Sequence, residues 1–413
     1  MLSCSSLKME PDELSNLPSE VIDQILYKIP IKEAVRTCVL SSVWRYKWAT
    51  LSHLVFDERC DSTLDHSAFV NIVDRILLLH IGPIHKFKLS HQELAATSDI
   101  DRWILHLSRN SIKEFILDVL KGSPYKIPSC LFSCQDIIHL ELSTCLLEPP
   151  PAFKGFRSLK RLDMQYVTLT QDVFENLILC CPFLETLTLM NWKGFTLLKI
   201  DAPNLRFLSV DGDFEEVILK NTSNLVDVTI CLYFDDGRFL RSSSNLLNFF
   251  AHLPQIQSLR LRNCFLEYLA VGALPTNQLP IPCLFLKFLC IHIWLGSLEE
   301  ILTVLCLMRS SPALEELELE FIQDDDYPVA LEVNSWLDHN WSDQFSQLRL
   351  VHIVDFSGVM AELELIRFVL LSSPILESMT VKPCSDNDST ELLKKLLRFK
   401  RASVDAEIIY LDP

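Results

Sequence analysis

Fourteen cysteines and eleven histidines are the side chains in this 413-residue sequence best suited to nucleophilic or metal chemistry. Their spacing points away from both. Cys130/Cys134 and Cys180/Cys181 lie close together, but neither has a second pair at zinc spacing. His80 and His85 are five residues apart, which does not stack them on one helical face. No G-x-S-x-G elbow and no H-E-x-x-H pair occurs. Glu299 and Glu300 are adjacent, so on a helix they point in different directions. The nine glycines never cluster; the closest, Gly194 and Gly212, are 18 positions apart, which excludes a glycine-rich phosphate loop. The expectation is a chain with no catalytic residues, no cofactor and no metal.

Charge narrows the partners. With 37 basic and 54 acidic residues the net charge is −17, the wrong sign for a protein that lives on nucleic-acid phosphates. Seven acids and no base lie between Ala313 and Asp326, a solvated strand face and loop or a patch for a basic partner. Five of the eight residues Lys394–Arg401 are basic, interleaved with Leu396, Leu397 and Phe399, which fits an amphipathic terminal helix. The N-terminal stretch carries Lys8, Glu10, Asp12 and Glu13 and has no apolar core of signal-peptide length. No uncharged apolar run reaches membrane-spanning length, so no membrane partner is expected. The scattered cysteines read as reduced core residues, and the expected location is the nucleus or cytoplasm.

Binding must then come from surfaces, and the elements that present them follow from periodicity. Residues Leu14 to Trp48 read as three short helices. Pro18 opens the first, in which Val21, Ile22, Ile25, Leu26 and Ile29 share one face, and Pro30 stops it. The second runs from about Lys32 to Leu40 and is expected to bury Ala34, Val35, Cys38 and Val39. The third starts near Ser41 or Ser42 as cap and carries Trp44 and Trp48 at i, i+4. About 40 residues make a poor core alone, so a partner is the physical expectation.

The rest of the chain repeats. A pattern of one aliphatic residue followed three and five positions later by others starts at Ile84, Ile112, Ile137, Leu159, Leu184, Leu205, Leu225, Ile256, Leu286, Leu314, Leu348 and Leu376. Most intervals fall in the 20–29-residue range of leucine-rich repeats. Pro182, Pro203, Pro254, Pro312 and Pro374 each precede a start by two residues and mark the turn into a strand. Helical runs lie upstream at 173–179, 299–309 and 363–371. Stacked strand-plus-return units give an α/β solenoid whose outward strand positions form a concave face. Those positions are Thr186, Thr188, Met190, Phe207, Ser209, Asp211, Ser258, Arg260, Arg262, Glu316, Glu318 and Glu320. Phe207, Ser209, Asp211, Arg260, Arg262, Glu316 and Glu318 are the candidate target-binding residues.

Two stretches resemble known modules. Leu14-Ser-Asn-Leu-Pro-Ser-Glu-Val-Ile-Asp-Gln-Ile-Leu26, Ile29-Pro-Ile-Lys-Glu-Ala-Val-Arg-Thr-Cys-Val-Leu-Ser41 and Trp44-Arg-Tyr-Lys-Trp48 resemble a plant F-box. Trp341, Leu348–Ile353, Phe356–Gly358, Glu362–Glu377, Met379–Lys382, Leu396–Ser403 and Ala406–Ile409 resemble the FBD module. With the repeats between, the chain resembles the plant F-box/FBD/LRR-repeat protein family. The resemblance implies a flexible start at 1–10, an F-box at 11–58, a leucine-rich-repeat solenoid at 59–335 and an FBD region at 336–413 that completes and caps it. It also implies that Leu14, Leu17, Pro18, Val21, Ile25 and Leu26 line a contact with a Skp-type adaptor. Val39, Ser41, Trp44 and Trp48 would shape or support that contact. Ser42 and Val43 stand where the family often has a basic pair. The implied role is the non-catalytic target-recognition subunit of an SCF-type ubiquitin ligase, joined through the adaptor to cullin and RING subunits and binding an unidentified protein. The alternative is a repeat scaffold or small-ligand receptor outside ubiquitin transfer.

Overall fold

A computed structural model describes residues 17–412 apart from 42, 61–62, 64, 234–244, 271–277, 323–343 and 386–388. Leu14, Asp324 to Asp326, Trp341 and the expected boundary at 335/336 lie outside the described residues. The chain divides into two compact units, up to Val173 and from Phe174.

The first unit opens with the helix Ser19–Lys28, preceded by Pro18 and followed by Ile29 in extended conformation. Ile31–Arg36 is the second helix, and it tightens into a 3-10 turn over Thr37–Val39. Among the described residues the expected third α-helix is absent. A turn over 43–46 leads into the 3-10 helix Lys47–Thr50, whose bonds run three residues back (Lys47 N to Trp44 O, Ala49 N to Tyr46 O). The run of Val43, Trp44, Tyr46 and Trp48 is crowded with residues that lose χ1 freedom on a helix, and the tighter turn still buries both indoles.

Parallel strands follow at His53–Asp57, Lys86–Ala95, Glu114–Lys121, His139–Ser143 and Arg161–Gln165, each paired with the next. The helices His66–Leu79 and Ser98–Leu107 connect the first three. Asp65 caps the former by accepting from Ala68 N at 2.7 Å, one of the amides a helix start leaves unbonded. Phe56, Phe87 and Phe115 run across this sheet with centroids 5.6 and 6.3 Å apart and are fully buried.

Among the described residues, the main sheet of the second unit has nine parallel strands: Thr186–Met190, Phe207–Gly212, Asp227–Leu232, Ser258–Asn263, Phe288–Ile293, Glu316–Phe321, Leu350–Phe356, Ser378–Pro383 and Glu407–Tyr410. The helices Leu298–Arg309 and Met360–Ser372 return the chain where the sequence places helical runs. The FBD-like stretch supplies the last strands of the same sheet, so it prolongs the array rather than forming a different layer. Where repeats are shortest, at 21 and 20 residues, the return is extended instead: Leu197–Asp201 pairs with Glu216–Lys220 as a separate two-stranded sheet. Turns are stitched by asparagine: the Asn204 amide donates to Pro182 O and Asn224 to Pro203 O, at 2.8 and 2.7 Å. The basic C-terminal run straddles the end of the helix Ser389–Leu397, which buries Leu396 but leaves Leu397 exposed.

Each of the twelve pattern starts is buried, and each stands two residues before a strand. Within a strand, alternate residues such as Leu187 and Leu189 or Leu259 and Leu261 enter the core. At roughly 1.5–3 kcal/mol per buried aliphatic side chain, these rungs supply the driving force that a single repeat lacks.

Candidate functional site

The N-terminal helix carries two apolar stripes, not one. Ile22 and Leu26 (i, i+4) are buried within the unit, whereas Val21 and Ile25, also i, i+4, remain 38% and 36% exposed. Leu26 therefore packs inward and does not line an outer surface. Pro18 is exposed and Leu17 half-buried just before the helix. Val39, expected to be buried, is 83% exposed, because the 3-10 turn advances about 120° per residue instead of 100° and swings it outward. Ser41 is half-buried with its hydroxyl unpaired. Trp44 and Trp48 are buried and serve as internal supports. Tyr27, Leu40, Val43 and Tyr46 are further exposed apolar residues of this segment, and only their excess over what two helices can bury signals them in the sequence.

The segment is fastened to the first repeat. Ile81 N donates to Ala49 O at 2.9 Å, His80 Nε2 bonds Leu51 O at 2.8 Å, and the Tyr27 and Ser52 hydroxyls are 2.9 Å apart. Burial pushes the His80 pKa down, which keeps the ring neutral at this seam. Gly82 lies flat on Thr50, where a Cβ would meet the backbone at 3.1 Å.

In the second unit, all twelve outward positions named from the sequence are half-buried or exposed, on the sheet face opposite the buried aliphatic residues. Parallel register aligns them in rows. Thr188, Ser209, Thr229, Arg260, Cys290 and Glu318 form one, and Phe207, Asp227, Ser258, Phe288 and Glu316 another. Phe207 is 44% exposed, with the Arg206 guanidinium 5.7 Å from its ring centre. Asp211 accepts from the Tyr233 hydroxyl at 3.3 Å. Arg260 lies over the Phe288 ring at 4.5 Å, donates to Ser258 Oγ at 2.9 Å and stands 3.5 Å from Asp227. Glu316 is 3.4 Å from His352 Nε2, and Arg262 is 4.0 Å from Glu320.

Two outward positions of the fifth strand break the rule: Cys290 and His292 are buried beneath their neighbours. His292 Nδ1 accepts from Asn263 N at 3.1 Å, so the ring proton sits on Nε2, which contacts Glu320. Burial, with Arg262 alongside, pushes this imidazole down to about 4 and holds it neutral. Burial pushes the Cys290 and Cys264 thiols up to about 11 and Cys145 and Cys283 to about 12, the wrong direction for nucleophiles. The first unit gathers His139, Glu141 and Asp163 on its sheet, a cluster that linear motif spacing does not reveal.

Family comparison agrees with this arrangement. An F-box domain model matches residues 14–55, and the model described as At1g61320/AtMIF1, LRR domain matches residues 76–405. The F-box/FBD/LRR-repeat protein At1g13570 of Arabidopsis thaliana is 39% identical over 97% of this chain and 99% of its own length. The chain belongs to the F-box/FBD/LRR-repeat family. More distant relatives from the same plant include the probable FBD-associated F-box protein At1g32375, 24% identical over 97% of this chain and 100% of its own. Another is the FBD-associated F-box protein At5g22730, 26% identical over 96% and 94%. As an F-box/LRR protein, the chain carries an N-terminal F-box ahead of its strand-and-return array.

Proposed function

We propose that this F-box protein is the target-recognition subunit of an SCF-type cullin-RING ubiquitin ligase. Its F-box holds a Skp-type adaptor, and through it cullin and RING subunits, while the open sheet face of the second unit holds a protein to be ubiquitinated. The observation that carries this reading is the bare stripe of Val21 and Ile25 on a helix whose other stripe is already buried. Apolar side chains at helical spacing, next to exposed Pro18, suit a helix-against-helix contact. Leu17, Pro18, Val21 and Ile25 then form the contact, Val39 and Ser41 border it, and Leu26, Trp44 and Trp48 hold its shape from within.

The outward residues of the second unit change chemistry from strand to strand: Thr186, Thr188 and Met190, then Phe207, Ser209 and Asp211, then Arg260 and Arg262, then Glu316 and Glu318. Such variation over a rigid register suits selective protein recognition. No bond is made by this chain. Its contribution is proximity, which turns a bimolecular transfer into an effectively intramolecular one. Work in the nucleus or cytoplasm is part of the same proposal.

The test is Leu17→Ala/Pro18→Ala in the full chain. Co-purification with a Skp-type adaptor should be lost while circular dichroism stays that of the parent. Full binding by the double variant overturns the docking assignment. Equal ubiquitin transfer to a captured partner with and without the F-box would favour a plain scaffold.

A further inference from the structure

We propose that His139, Glu141 and Asp163 form a binding site for a divalent transition-metal ion of the Zn²⁺ class on the first unit's sheet. The residues come together through register. His139 and Glu141 are i, i+2 on the strand His139–Ser143 and so share a face, and Asp163 stands directly opposite Glu141 on the strand Arg161–Gln165. Their donor atoms all lie within 4.8 Å of one another. His139 Nε2 is 3.0 Å from Asp163 Oδ2 and 3.8 Å from Glu141 Oε2.

Donors bound tetrahedrally at about 2.0–2.1 Å from zinc lie about 3.3 Å apart, and the two observed separations bracket that value. Small side-chain rotations on a fixed backbone therefore close the site. Three protein ligands leave a fourth position, and the Glu141 side chain, 46% exposed, places that opening toward solvent, where water or a donor from a bound protein can enter. One imidazole nitrogen beside two carboxylates favours zinc-like ions over Mg²⁺ and Ca²⁺, which take oxygen. On ligation, the Nε2 proton that His139 donates to Asp163 Oδ2 leaves Nε2 and the ring N–H is carried on Nδ1, so the Nε2 lone pair goes to the metal and the hydrogen bond is replaced by a shared ion.

Arg161 decides the strength. Its Nε donates to Asp163 Oδ2 at 2.6 Å, which fixes the carboxylate but sets a positive charge beside the incoming cation. Glu114, across from His139 in register, is engaged by Lys86 at 2.7 Å and adds no ligand.

The experiment is calorimetric titration of the chelator-stripped full chain with Zn²⁺ under reducing conditions, with Co²⁺ as a spectroscopic probe. One equivalent should bind at micromolar concentration, and the Co²⁺ form should show visible d–d bands without thiolate charge transfer. His139→Gln and Asp163→Asn should each weaken binding about tenfold or more. Arg161→Gln should tighten it several-fold by removing the competing charge. His352→Gln, at a two-residue acid–histidine contact elsewhere, should change nothing. The proposal is overturned if no equivalent binds, if binding survives both ligand variants, or if thiolate bands place the ion on cysteine.

Discussion

Replacing Glu300 by Gln should stabilise the protein, and more so as pH rises. Glu300 is buried in the first turn of the helix Leu298–Arg309, whose cap Ser297 accepts from Glu300 N at 3.3 Å. Its carboxylate reaches back to accept from Trp294 N at 3.0 Å. Burial pushes its pKa up to about 7; the Trp294 bond pulls the other way, and Glu267 and Glu299 add repulsion. The folded chain thus holds a proton on Glu300 between about pH 4.5 and 7 that the unfolded chain has already released. Stability falls as pH rises across that window and stays lower above it. A rise of about 2.5 units at about 1.4 kcal/mol each gives roughly 3 kcal/mol at pH 8 and roughly 2 kcal/mol at pH 6. Gln keeps the acceptor for Trp294 and carries no charge, so Glu300→Gln recovers that amount. For a unit of this size the gain corresponds to about 6–10 °C in melting temperature at pH 8, and less at pH 6. Thermal melts of both proteins at the two pH values, each above the isoelectric point of about 5.1, provide the assay. A variant that is less stable, or more stable by the same amount at both pH values, would refute the reasoning.

Two further outcomes follow from the backbone. Thr144 is β-branched at φ 56°, with its N–H bonded to Gln165 O and its carbonyl accepting from Tyr125 N, so Thr144→Asn should stabilise by about 1 kcal/mol in thermal unfolding. Gly82→Val drives a branched Cβ into Thr50 and should loosen the seam between F-box and first repeat, seen as faster proteolysis near residues 50–82 with the second unit's melt unchanged.

The array was legible because its signal is repeated and physical. The twelve pattern starts are buried aliphatic residues two positions before a strand, and Pro182 or Pro254 marks the same turn whatever the repeat length. Uneven intervals are absorbed in the returns, where a helix such as Leu298–Arg309 alternates with extended segments such as Leu197–Asp201, and the strands keep register. Less legible was which way each apolar residue of the F-box faces. Val21 and Ile22 are adjacent and equally greasy, and only the packing of the finished unit buries one and bares the other. Helix type was also lost at Trp44–Trp48, since i, i+4 indoles fit an α-helix as well as the tighter turn that forms. The His139–Glu141–Asp163 cluster could not be read from spacing, because Asp163 meets Glu141 only through strand register 22 residues on. Cys290 and His292 obey strand alternation but are covered by long neighbours such as Arg262 and Glu320, which alternation alone does not foresee.

Equilibrium binding of the full chain to a purified Skp-type adaptor, compared with Val21→Asp/Ile25→Asp, tests the account most directly. Both side chains are already partly in water, so the variant should fold and melt as the parent does. Placing two carboxylates in an apolar contact should weaken the complex at least about a hundredfold. Undiminished affinity in a folded variant would contradict the claim that this stripe is where the adaptor sits.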